Sequence, residues 1–408
     1  MEIRITNILK MYTSKRQIYR CIGLMFLLSA VMFTLIQIEH MSSQKASQTK
    51  RIERQTGMEK EVNLQNNSAN NFWVKFSTEQ RMELLTERPK EPTTWDIVSS
   101  NCSANLSFLS TEGFTSLDSD FKQFMLYQHC RYFPILMNHP EKCAGAVDLL
   151  LVIKSVITQY DRREVIRQTW GKEKTIDGKN IKILFLLGTS SNEGERANHQ
   201  KLLEYENYIY EDILQWDFMD SFFNLTLKEI HFLKWFSIFC KNTRYIFKGD
   251  DDVFVNVPKI LEYVEGGKDL KDHFVGDVLF KAYPIRHKSS KYYIPKVLYK
   301  KNYYPPYAGG GGFLMDGPLA HKLYGACETL QLYPIDDVFL GMCLEVLQVK
   351  PIHHNAFKTF GIVRNEASKM NREPCFFRQL IVVHKLLPPD LINMWRLINS
   401  DLVCSKKL

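Results

Sequence analysis

The stretch YIFKGDDDVFVN, Tyr245 to Asn256, decides how this chain is read. An apolar run ends in three consecutive aspartates, Asp250, Asp251 and Asp252, and a second apolar run, VFV, follows at once. Neighbouring carboxylates repel by about 1 kcal/mol or more per pair even near water. Hard carboxylate oxygens suit Mg²⁺ or Mn²⁺, which bind through one or two carboxylates plus phosphates, and such a cation would offset the repulsion. In open α/β sheets, ligands bind beyond the carboxyl ends of the strands. The acidic cluster lies at that place if YIFKG is a strand. The competing reading is a solvated cluster capping a helix.

The flanking sequence favours the strand. AVDLLLVIKS (Ala146 to Ser155) and IKILFLLGT (Ile181 to Thr189) are continuous apolar runs, as buried parallel strands are. DILQWDF reads as a third strand and RYIFKG as a fourth. Between them lie helical patterns: DRREVIRQTWG, with Asp161 placed to cap it and Val165, Ile166 and Trp170 facing inward; a polar helix through LLEYEN; and the long amphipathic NLTLKEIHFLKWFSIFC. Strands alternating with helices predict an α/β fold, a mixed sheet covered by helices. FKQFMLYQHCRYF, Phe121 to Phe133, predicts a short helix packed on that body.

The first 120 residues read differently. CIGLMFLLSAVMFTLIQI, Cys21 to Ile38, has no charge and is about long enough to cross a bilayer as a helix. Lys15, Arg16 and Arg20 precede it, and the other flank meets no basic residue until Lys45. This asymmetry predicts a cytoplasmic tail over 1–20, a signal anchor over 21–38 and everything else outside the cytosol. A cleaved signal peptide would have a shorter apolar core ending in small residues. From His40 to about Ser110 the chain is polar and poor in core-forming residues, so 39–120 is expected to be a stem and 121–408 the catalytic domain.

The chain has 408 residues, 45% of them apolar, and a formal charge of +8. No long basic stripe interleaved with aromatics is present, which argues against a nucleic-acid binder. Eight cysteines follow the anchor's Cys21, scattered and without a CxxC pair, so a zinc site is not expected and disulfides are, in an oxidising lumen. Cys130 with Cys143 is the expected local pair. Sequons at Asn66, Asn101, Asn105 and Asn224 agree with the secretory pathway.

FKGDDDVFVN resembles the D-x-D element of a GT-A glycosyltransferase, in the β1,3-glycosyltransferase family. RREVIRQTWG, ILFLLG, DILQWDFMDSFFNLTLKE, YPPYAGGGGFLM and YPIDDVFLGMCL are similar to that family in its usual order, from about Phe121 to the C-terminus. KYYIPKVLY with YPPYAGGGGFLM is most similar to its β1,3-N-acetylglucosaminyltransferase branch.

The resemblance implies a GT-A fold, UDP-GlcNAc as donor and Mn²⁺ as metal, with Mg²⁺ able to serve. It implies Asp250 near the ribose, Asp251 shaping the turn, and Asp252 on the metal with His384 of VVHK as a second ligand. Asp337 of PIDDVF would be the general base, with Asp336 orienting it; Asp336 is also a good N-cap for the helix that follows. Gly310 and Gly311, within Gly309 to Gly312, would border the donor sugar, and Tyr307 would stack on an acceptor ring or serve structure alone. Arg163, Arg167, Lys154 and Ser155 would line the nucleotide.

The product implied is a β1,3-linked GlcNAc on a terminal galactose of lactosamine chains, carried by a glycoprotein or glycolipid, made by a type II Golgi membrane enzyme. A homo-oligomer is compatible with this. A β1,3-galactosyltransferase using UDP-Gal and a catalytically silent lumenal lectin-like protein stay open.

Overall fold

A computed structural model describes residues 94–111, 113–267, 271–363, 365 and 368–404. The expected tail, the anchor, Asn66 and most of the stem lie outside these residues. Among the described residues no helix is long and apolar enough to cross a membrane.

The strands are β1 (Ile135–Met137), β2 (Leu149–Lys154), β3 (Lys174–Ile176), β4 (Lys179–Thr189), β5 (Ile213–Met219), β6 (Tyr245–Asp250), β7 (Val253–Val255), β8 (Phe274–Leu279), β9 (Tyr307–Asp316), β10 (Ile352–His353), β11 (Phe357–Lys358) and β12 (Val382–His384). The α-helices are α1 (Ser119–Tyr127), α2 (Tyr160–Gln168), α3 (Arg196–Tyr210), α4 (Leu225–Phe239), α5 (Val257–Gly266), α6 (Gly317–Thr329), α7 (Asp336–Val346), α8 (Pro374–Phe377) and α9 (Pro388–Ile398).

The main sheet runs β1-β5-β4-β2-β6-β9-β8-β10, with β3 beside β4. Strands β5, β4, β2 and β6 are parallel, while β9 is antiparallel to both β6 and β8. The sheet is therefore mixed, as the sequence predicts. All six residues of β2 are buried, which is why it reads as an unbroken apolar run. Side chains alternate across the sheet. Leu150, Val152, Leu184 and Leu186 pack with Phe232 of α4, Leu319 of α6 and Phe339 of α7. Leu149, Leu151, Ile153 and Phe185 pack with Ile166 of α2, Ile260 of α5 and Leu391 of α9. Trp170 is buried on this second side, as expected.

A small second sheet, β11-β12-β7, matters more for function. Strand β7 starts directly after the three aspartates and pairs antiparallel with β12, in a register that sets His384 opposite Val253. Leu386 N–H donates to the Asp252 carbonyl at 2.8 Å and locks the crossing. A segment about 130 residues downstream in sequence thereby reaches the end of β6.

Three expectations change. The packed body begins before Phe121: the Trp95 indole donates to the Phe133 carbonyl at 3.1 Å and meets Trp216 and His231, and Phe114 and Leu117 are core residues. Cys130 does not pair with Cys143. Strand β1 runs between them, so Cys130 bonds Cys102 and Cys143 bonds Cys240 at the end of α4, with Cys375–Cys404 as a third bridge. Asp161 does not cap α2; the cap position is Gln159, and Asp161 sits in the first turn, where its charge suits the helix dipole.

Candidate active site

The aspartates come off the end of β6 and diverge. Asp251 turns inward and is buried; its Oδ2 accepts from the Ser155 hydroxyl at 2.7 Å and its Oδ1 from Arg162 at 2.8 Å. Asp251 thus ties the end of β2 to α2 and shapes the turn. Asp250 and Asp252 face the other way. His384 Nε2 lies 3.0 Å from Asp252 Oδ1 and 3.8 Å from Asp250 Oδ2. Its Nδ1 donates to the Thr359 carbonyl at 3.0 Å, so the protonated ring donates Nε2–H to Asp252, and on losing that proton it presents a lone pair at Nε2, as a metal ligand does. Burial pushes the Asp252 carboxyl up, but the bond to His384 and the charges of His384 and Arg162 outweigh it and hold the group below its usual value.

Two carboxylates and an imidazole have donor atoms within 4.8 Å of one another, a set that could hold a divalent cation of the Mn²⁺ or Mg²⁺ type. The charges nearby support the fit. Asp251 is answered by Arg162, Glu229 by Lys248 and Asp336 by Lys154. Asp250 shares Lys154 with Asp336, and Asp252 has the His384 ring and, at 3.6 Å, the Arg162 already bonded to Asp251.

Lys154, buried at the end of β2, is the hub. Its ammonium lies 2.5 Å from Asp336 Oδ2, 3.1 Å from Asp250 Oδ1 and 4.0 Å from Glu229. Glu229 on α4 is itself 2.5 Å from the buried Lys248. Asp336 is therefore held by an ion pair and is not the cap of α7; Ile335 occupies that position. The reason is competition: a buried lysine is a stronger partner than backbone N–H groups at a helix start.

Asp337, next along α7, has no ion-pair partner of its own among the described residues. Its Oδ1 accepts from Val338 N–H at 2.7 Å. Burial, and then the adjacent Asp336 charge, push its carboxyl up to about 7, against the pull of Lys154. A carboxylate poised near neutrality suits a general base.

The glycines of β9 explain how these parts share one cleft. None of Gly309 to Gly312 has a positive φ; all four lie in an extended strand. They are there for closeness. A methyl group on Gly309 would meet Thr359 at 2.6 Å, and one on Gly311 would meet the His384 ring at 2.9 Å. Gly310 is the one facing the cleft. A Cβ there would stand 3.7 Å from Asp337 Oδ2, 3.8 Å from Lys154 Nζ and 3.9 Å from Asp250 Oδ2. Asp250 and Asp337 thus line the same small space, with Asp252 and His384 beside Asp250.

Arg163 and Arg167 do not face this cleft. Arg163 is fully buried and grips Glu206 with two bonds of 2.7 Å. Arg167 holds Asp212 and Glu206 and stacks on Tyr210. Both clamp α2 to α3, and their neighbour Arg162 reaches the aspartates, 3.6 Å from Asp252. Sequence reasoning missed Arg162, Glu229 and Lys248. Lys248 left a signal, a charge inside an apolar strand that must find a buried partner. Tyr307 is half-buried at the start of β9, near Tyr304 and against Gly341 of α7. Of the described sequons, Asn101 is exposed, Asn105 caps a 3₁₀ turn, and Asn224 bonds the Met219 carbonyl through Nδ2.

Comparison with known proteins places the chain as a whole. The Galactosyltransferase family profile matches residues 161–355. The chain is 59% identical over 341 residues to the UDP-GlcNAc:betaGal beta-1,3-N-acetylglucosaminyltransferase 7 of Rattus norvegicus, covering 83% of this chain and 85% of that one. It is 43% identical over 308 residues to the human N-acetyllactosaminide beta-1,3-N-acetylglucosaminyltransferase 3, covering 75% and 83%. Among solved structures, the WbbM bifunctional glycosyltransferase aligns at 10% identity and a TM-score of 0.33, over 63% of this chain and 50% of that one, too weak a likeness to bear on the reading. With its acidic cluster, glycine strand and PIDDVF helix in place, this chain belongs to the β1,3-glycosyltransferase family, in its β1,3-N-acetylglucosaminyltransferase branch.

Proposed function

We propose that this protein transfers GlcNAc from UDP-GlcNAc, with inversion, in β1,3 linkage onto a terminal galactose, and that lactosamine chains are its acceptors. The observation that carries the reading is the shared Gly310 cleft, with Asp337 on one side and the Asp250–Asp252–His384 group on the other. Asp337 takes the proton of the acceptor hydroxyl as its oxygen attacks the anomeric carbon. The donor's α bond to UDP breaks, a β bond forms, and one base suffices. Lys154 fixes Asp336 and Asp250 around that space, and Asp336 holds the start of α7 so that Asp337 faces inward. Asp252 and His384, with Asp250 beside them, would hold Mn²⁺ or Mg²⁺, which when bound neutralises the charge on the departing diphosphate.

The uncharged Cys21 to Ile38 stretch, its basic flank and the disulfides support a type II Golgi membrane protein with a short stem and a lumenal catalytic domain. The family profile carries a galactosyltransferase description, so UDP-Gal is the second donor to test. The names of the 59% identical relatives favour UDP-GlcNAc. The experiment is a donor assay on the full chain in detergent, with UDP-GlcNAc and UDP-Gal against a lactosamine panel, with and without Mn²⁺, and linkage analysis of the product. Transfer of GlcNAc to galactose O3 supports the reading. Transfer of galactose alone, or none under any condition, ends it.

A further inference from the structure

Two buried thiols lie outside everything assigned above. Cys327 near the end of α6 and Cys343 in α7 are both fully buried, and their Sγ atoms stand 3.3 Å apart. The other six described cysteines all form disulfides. A disulfide requires the sulfurs at about 2.05 Å, a short approach from the 3.3 Å that separates them.

We propose that Cys327 and Cys343 form a fourth disulfide, which fastens the helix carrying Asp337 to its neighbour. This rests on the reading that the domain folds in an oxidising lumen. The two thiols lose two protons and two electrons as the S–S bond forms. The electrons pass to the disulfide of a thiol–disulfide oxidoreductase, through a mixed disulfide, and leave that enzyme as a dithiol. Since both sulfurs are buried, the exchange takes place before α6 and α7 close on each other.

The position gives the bond a purpose. Cys343 lies two helical turns, about 10 Å along the axis, from Asp336. The segment between the two cysteines is already held at its near end. Arg131, next to the bridged Cys130, donates to the Cys327 carbonyl at 2.7 Å and the Leu330 carbonyl at 2.8 Å. Tyr333 shares a hydroxyl bond of 2.9 Å with Tyr304. A bond at Cys343 closes the far end, so the turn feeding Asp336 and Asp337 is fixed on both sides.

The test is chemical. The full chain is made in a eukaryotic secretory host, purified without reductant, denatured in N-ethylmaleimide and digested with trypsin. The fragment Leu323 to Lys358 contains these two cysteines and no others. It is expected two hydrogens lighter than the dithiol and free of maleimide. A fragment carrying one or two maleimides overturns the proposal. Removing both sulfurs, Cys327→Ala with Cys343→Ala, should shorten the half-life of transfer at 45 °C several-fold and leave kcat/KM at 25 °C within twofold. An unchanged half-life overturns the fastening role. Transfer is assayed on the same wild-type sample: a bridged protein that moves no sugar defeats the enzymatic reading alone, and an active protein with both thiols alkylated defeats the disulfide alone.

Discussion

His384 and Asp252 meet across two strands of the small sheet, Nε2 to Oδ1 at 3.0 Å, while Thr359 holds the opposite ring nitrogen through its carbonyl oxygen at 3.0 Å. A histidine with one nitrogen bonded to a carbonyl and the other aimed at two carboxylates is arranged as a metal ligand is. His384→Ala should weaken the apparent Mn²⁺ affinity about tenfold or more, read from rate against Mn²⁺ concentration with the donor saturating. Excess EDTA should abolish transfer by the wild type, and added Mn²⁺ should restore it. Full activity in EDTA, or an unchanged Mn²⁺ midpoint in the variant, contradicts the metal assignment.

Asp337 gives the pH dependence. Its carboxyl is pushed up to about 7, and a protonated carboxyl takes no proton from the acceptor. In the free enzyme, kcat/KM should fall tenfold per unit as pH drops below about 7. Asp337→Asn should lose about 10²–10⁴-fold in rate, flatten this limb and still bind UDP. The stability sign is opposite to the activity sign. A carboxyl whose folded value lies above its ordinary 3.8 contributes stability present below 3.8 and lost as pH rises through about 7. The Tm advantage of Asp337→Asn over wild type should therefore grow between those limits and level off above them. A variant that turns over normally, or whose Tm difference is flat across that range, removes Asp337 from the role.

The main sheet was legible because β2 and the second half of β4 are buried on both faces and read as unbroken apolar runs, with β5 and β6 continuing the strand–helix alternation. The aspartates were legible because like charges side by side need an outside cause. The arginines were not. Arg162, Arg163 and Arg167 share one helix, and only the packing of α2 on α3 decides that Glu206 and Asp212 claim two of them while the third reaches Asp251. The disulfides were hidden for a similar reason: Cys143 and Cys240 meet through the tertiary fold, 97 residues apart. The glycines of β9 were expected to border the donor sugar, but sequence does not distinguish a glycine needed for its φ from one needed because a neighbour's ring occupies the place of its Cβ.

That distinction separates Gly310 from Gly311. In Gly311→Ala the new methyl would stand 2.9 Å from the His384 ring, so the ring must leave Asp252. This variant should copy the Mn²⁺ defect of His384→Ala and lower Tm as well. In Gly310→Ala the nearest atoms are 3.7 to 3.9 Å away, an ordinary contact, so the fold accepts the methyl. The methyl enters the cleft, and KM for the donor should rise with Tm unchanged. Equal Tm losses in the two variants would mean that Gly310 is packed as tightly as Gly311 and does not face a ligand.

The adjacent arginines of α2 should part in the same way. Arg163 is buried with Glu206, and truncating one partner of a buried pair costs about 3–5 kcal/mol because the other charge stays behind. Arg167 also touches Glu206, which softens the loss. Arg163→Ala should still lower Tm sharply, with donor KM unchanged in the protein that remains folded. Arg162 is partly exposed, and its guanidinium lies 2.8 Å from Asp251 and 3.6 Å from Asp252. Its removal takes a cation from two carboxylates at the end of the cleft proposed for the metal, while Asp251 keeps its bond to Ser155. Arg162→Ala should keep Tm within a few degrees, shift the Mn²⁺ midpoint and raise donor KM severalfold. Thermal melts and donor titrations on the two proteins decide the matter: if Arg163→Ala gave the kinetic defect and Arg162→Ala the folding defect, the assignment of these neighbours would be reversed.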